Sequence, residues 1–132
     1  MSAVKAVIAL LLAAPDVVAL AGDRVFPGDV PLKQLRPAIA VREVGNNREG
    51  AIDAQAEASL ATSRVQVTVH VKDYPEIAGV LRAVRKACNF ERGLIAGVDV
   101  VSIVRDLIGP DLDFPDGWGK SIDFMVTHYE QN

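Results

Sequence analysis

The 132-residue chain contains one cysteine, Cys88, and two histidines, His70 and His128. A lone cysteine excludes an internal disulfide and any zinc site built mainly on thiolates, and such usage suits a reducing compartment. Aromatic residues are scarce, at 5%, so a core must be filled by Val, Ile, Leu and Ala. Positive charge is not in excess: 14 Lys and Arg stand against 17 Asp and Glu, a formal net charge of −3. Nucleic-acid binding by bulk charge is therefore disfavoured. No Gly-rich phosphate loop precedes a helix pattern, so there is no nucleotide fingerprint. No apolar run approaches the ~20 residues that span a bilayer. The longest, residues 6–14, follows Lys5 and precedes Ala19-Leu20-Ala21, which superficially resembles a secretory signal. A single Lys before it and Asp16 after it favour a buried first helix instead.

What is present is an apolar fraction of 50%, enough for one domain with one core and too much for a disordered chain. Ser2 is a suitable N-cap and residues 3–14 are rich in Ala and Leu, which predicts a helix stopped at Pro15. Its apolar side chains run around most of the circumference, which suggests packing on more than one side. Residues 16–21 make a further short turn ending at Gly22. Pro27, Gly28 and Pro31 then break regular structure. Residues 38–44 read as a strand ended by Gly45-Asn46-Asn47. Residues 46–61 are polar and Ala-rich with little to bury, and read as a long loop or arm that orders against a partner.

The clearest strand has Val65, Val67, Val69 and Val71 alternating with Arg64, Gln66, Thr68, His70 and Lys72, one face on a core and one wet. Asp73, Pro75 and Glu76 form a capping-box pattern for a second helix whose face is Ile77, Val80, Leu81, Val84 and Cys88. Residues 96–104 and 121–129 complete two more strands, separated by a turn-rich acidic loop at Asp111, Asp113 and Asp116. The order helix, strand, strand, helix, strand, strand implies an α+β fold, a four-stranded antiparallel sheet backed on one face by helices.

None of these residues assembles a convincing reaction centre. His70 lies on a polar strand face and His128 shares the parity of Ile122, Phe124 and Val126, so neither is expected to act in catalysis or bind metal. Cys88 sits on an apolar helix face, where burial makes a thiol inert. The acidic loop has Ile122 where a calcium loop needs its closing Glu. It suits better a patch facing a protein, with Trp118 either an interface anchor or a cover over the core. No cofactor and no metal are expected.

Val18-Ala19-Leu20, Gly22, Arg24-Val25-Phe26-Pro27, Pro37-Ala38-Ile39-Ala40-Val41 and Ser63-Arg64-Val65-Gln66-Val67, followed by the helix after Tyr74, resemble the tail-completion, or tail-terminator, proteins of long-tailed bacteriophages and prophages. The resemblance runs through the second helix and rests on order and spacing. It implies a non-enzymatic virion protein, residues 1–132 forming one tail-terminator-like domain. Such proteins assemble in the host cytoplasm as a ring, commonly a hexamer, on the head-proximal end of the tail tube. There the ring stops tube polymerisation and presents a surface for joining to the head or neck. Expected partners are further copies, the tail tube protein and a neck connector, with no membrane and no sequence-specific nucleic acid, DNA passing only through the lumen. Candidate interface residues are Arg48, Glu49, Asp53 and Glu57 on the arm, and Asp111, Asp113, Asp116 and Trp118 on one axial face. The alternatives are a neck connector of the same particle, a ferredoxin-like small-molecule binding domain, and a small hydrolase using His70 or His128.

Overall fold

In the computed structural model, which describes residues 2–31, 33–48 and 58–131 (backbone alone at 47, 48, 58, 59 and 131), the Ala- and Leu-rich start folds into helix α1 (Ser2–Ala13). Pro15 ends it and opens a second helix, α2 (Pro15–Ala21), because proline's fixed φ and missing N–H suit a first turn. The two axes lie 84° apart, and no single helix among the described residues is long and apolar enough to cross a membrane. Gly22, at φ +58°, closes α2 by donating its N–H to the Val18 carbonyl. The short turn expected at residues 16–21 is thus a helix in its own right.

The remaining elements are β1 (Val25–Pro27), β2 (Ala38–Arg48), β3 (Ala58–Val71), α3 (Glu76–Cys88), β4 (Gly93–Ile95), β5 (Val98–Ile108), β6 (Leu112–Phe114) and β7 (Gly117–Gln131). They form a seven-stranded sheet in the order β1-β2-β3-β7-β5-β4, with β6 also paired to β7. The expected four-stranded antiparallel sheet is therefore corrected: β1 runs parallel to β2, with Val25 opposite Ile39, and the sheet is mixed. The three strands missing from the sequence reading are three residues each, too short for alternation to register.

The expected loop at 46–61 is corrected at both ends. Residues 46–48 continue β2 past a bulge between Glu43 and Gly45, and pair with Thr62 and its neighbours. Ala58 to Ala61 pair with Gln131 to His128 of β7. Gly45 and the two asparagines resemble a strand stop, but a bulge absorbs them and restores pairing.

The helices cover one face. Val65, Val67, Val69 and Val71 of β3 are fully buried with Ile122, Phe124 and Val126 of β7, against Val4, Val7 and Leu11 of α1 and Val80, Val84 and Cys88 of α3. Burying a side chain of this size contributes about 1.5–3 kcal/mol, so this layer is the main source of stability. Entry into α3 differs from a full capping box. Glu76 reaches back to accept the Asp73 N–H at 2.9 Å, while no side chain caps the helix end at Pro75. The opposite face of the sheet carries Arg64, whose guanidinium bridges Asp106 of β5 and Asp123 of β7.

Candidate assembly surfaces

The acidic segment is not a loose loop but part of the β6–β7 hairpin, with Leu112 to Phe114 opposite Gly119 to Gly117. Its geometry needs glycine on either side of Trp118. A Cβ at Gly117 would stand 2.2 Å from the Val71 carbonyl oxygen, and one at Gly119 would stand 2.7 Å from that of Val69 and 2.4 Å from the Phe114 ring. Asp111 accepts the Tyr74 hydroxyl at 2.6 Å and Lys120 Nζ at 2.9 Å. The Tyr74 hydrogen bond, aided by Lys120, holds the Asp111 carboxyl below its usual range and pushes the Tyr74 hydroxyl up. Asp116 pairs with Arg36 at 2.9 Å. Asp113 is exposed and has no ion pair among the described residues. Trp118 is partly buried against the core and meets Tyr74 edge to face at 5.2 Å, which places it as a cover over one end of the core.

Of the arm residues, Arg48 is the last residue of β2, and Glu49, Asp53 and Glu57 lie outside the described residues. The structure brings Asp111, Asp116 and Trp118 together at one end of the sheet, close to Tyr74, Arg36 and Lys120.

His128 is fully buried. Its Nε2 shares a hydrogen bond with Ser63 Oγ at 2.9 Å, which also accepts Asn46 Nδ2 at 2.8 Å. Burial lifts the nearby Glu43 carboxyl, but hydrogen bonds from Ser63 and Asn46 act against it, and the net direction is below the ordinary 4.5. His70 stacks on Phe114 at 4.5 Å. Cys88 is buried and its thiol is pushed up to about 12 by desolvation, with the Glu91 charge adding to it. Among the described residues no group of three or more His, Cys, Asp or Glu is placed to hold a metal ion.

A second surface has almost no signature in the sequence. Phe90 is 79% exposed and Leu94 78%, and beside them Val101, Val104, Leu107 and Ile108 of β5 are exposed too. Phe90 holds φ at +68°, a conformation a bulky residue rarely adopts. Two bonds brace it there: the Phe90 N–H donates to the Ile103 carbonyl at 2.8 Å, and Asn89 Oδ1 accepts the Arg105 N–H at 3.0 Å. The one signal in the sequence is a phenylalanine inside the polar turn Asn89-Phe90-Glu91-Arg92, where helix periodicity has already ended.

The sheet is also open at its borders. Among the described residues, β1 flanks β2 only at Ile39 to Val41, and β4 flanks β5 only at Val98 to Val100. Open strand edges and an exposed apolar band are the kinds of surface through which a chain meets other proteins. The chain belongs to the tail completion protein gp17 family, whose model matches residues 5–110. That family is one of structural virion proteins, and membership places the chain in the tail of a phage virion. Among solved structures, a chain from the "Virion of native gene transfer agent (GTA) particle" has a similar fold. The TM-score is 0.66 at 16% identity, covering 100% of this chain and 95% of that one. None of the curated proteins matches the chain.

Proposed function

We propose that the protein caps the head-proximal end of the tail tube, ends tube polymerisation and offers the surface to which head or neck is joined. It acts as a ring of identical copies, commonly six, and not as an enzyme. The observation that carries this reading is membership of the tail completion family over residues 5–110. Two open edges on opposite sides of one sheet support it, since a ring needs one patch to meet a different patch on the next copy until rotation closes. The acidic hairpin, with Asp116 at its turn, Asp113 exposed on β6 opposite Trp118, and Asp111 just before β6, forms part of an axial docking face. Arg48, Glu49, Asp53 and Glu57 serve contacts between copies.

The test is tail assembly in the absence of the protein. Tubes of irregular and excessive length that fail to join heads are expected, with purified protein restoring both when added during assembly. Tails of normal length that still fail to join would instead identify a neck connector. Normal length together with normal joining would refute the proposal.

A further inference from the structure

Three adjoining depressions of about 280, 350 and 220 Å³ run along β5 and the neighbouring face of α3. The first two share Phe90 and Val104, and the first and third share Arg85, so together they make one groove. Its floor is apolar and its rim is cationic, formed by Arg82, Arg85, Arg92 and Arg105. None of these four guanidiniums forms an ion pair among the described residues. The carboxylate next along β5, Asp106, is engaged by Arg64. Beyond Val100 no described strand flanks β5 on this side. A strained, braced phenylalanine projecting from such a groove is an outlier that points to a function.

The sequence contains a matching ligand. Residues 49–57, Glu-Gly-Ala-Ile-Asp-Ala-Gln-Ala-Glu, carry three carboxylates, no cation, and apolar Ala51, Ile52, Ala54 and Ala56. Glu49, Asp53 and Glu57 recur every four residues, which puts them on one side of an extended chain or of a helix. We propose that the groove between β5 and α3, centred on Phe90 and rimmed by the four arginines, receives residues 49–57 of a second copy. This rests on the reading that copies associate into a ring.

The register of the strands sets the Arg105 end of the groove apart from the chain's own anchors. Ala58 stands opposite Gln131 and Arg105 opposite Phe124, so the two levels are seven residues apart along β7. At ~3.3 Å per residue that is about 23 Å, before the step across from β3 to β5 is added. Asp53 is five residues from each described anchor, Arg48 and Ala58, which limits its reach to about 17 Å. The chain's own segment therefore reaches the Phe90 end of the groove more readily than the Arg105 end, and we assign the Asp53–Arg105 pair to two copies.

The experiment uses Asp53→Cys in one preparation and Arg105→Cys in another, mixed and treated with a short bismaleimide, both free and bound to tails made without the protein. The buried Cys88 leaves the unaltered chain unlabelled as a control. Covalent dimers in the mixture, absent from the unaltered chain, are expected. In parallel, Arg85→Glu with Arg105→Glu should weaken self-association at least tenfold, and Glu49→Arg, Asp53→Arg and Glu57→Arg in the same chain should restore it. Both arginines are exposed, so an unchanged melting profile checks the fold. Intact rings with no cross-link and no effect of charge reversal would overturn the groove assignment and leave the capping role standing. Cross-linking only within a chain that carries both cysteines would overturn it as well. A chain that stays monomeric in solution and on tails would overturn this and the ring together.

Discussion

His70 shows how one side chain links pH to stability. Burial pushes its pKa below the ordinary 6.5, and the Arg36 charge adds to this against weaker opposition from Asp29 and Asp116. The folded state thus binds fewer protons than the unfolded one through this interval. The contribution is fully present above 6.5 and is lost as pH falls toward the lowered folded value. Urea midpoints should decline on acidification from pH 7, and His70→Gln should flatten that part of the curve; an unchanged slope would show that His70 is not its source. The depressed carboxyls of Asp111 and Glu43 act in a separate window, their contribution present above their ordinary values and lost at more acid pH. Ser63 offers a second test. Ser63→Ala strips buried His128 of its hydrogen bond and should cost about 1–3 kcal/mol in chemical denaturation, the usual penalty for an orphaned buried polar group.

At the scale of elements, the β6–β7 hairpin depends on two close backbone approaches. Gly119→Ala would drive a methyl against the Val69 carbonyl and the Phe114 ring, an overpacking worth about 1–3 kcal/mol. The melting temperature should drop, and a neutral result would show that the hairpin can move away from β3. Legibility in the sequence follows the same physics. β3 was plain because its valines alternate over a long strand, and α3 because its apolar face repeats at helical spacing. β1, β4 and β6 were invisible because three residues carry no period. Of the candidate interface, Asp111, Asp116 and Trp118 do gather at one end of the sheet. Their engagement by Lys120, Arg36 and Tyr74 was hidden, since those partners come from distant parts of the chain. The Phe90 band is not legible in the sequence because exposure is a property of the fold, not of a residue's apolarity.

Over the whole molecule, the order of strands in space departs sharply from their order in sequence. β7, the last element, occupies the middle of the sheet, between β3 on one side and β5 and β6 on the other. A chain ending at residue 110 contains everything the family model matches, yet lacks the strand that joins the two halves of the sheet. Such a truncation should show no cooperative thermal transition; a sharp one would mean that β1–β5 and α1–α3 are self-sufficient.

That central position also sets a timetable. During synthesis, the greasy α1 and α2 emerge well before the strand that completes the layer beneath them. Pairings so distant along the chain form slowly. The subunit's open edges therefore acquire their final geometry only after β7 has been made. An unfinished protomer thus has no completed sheet to offer to a partner.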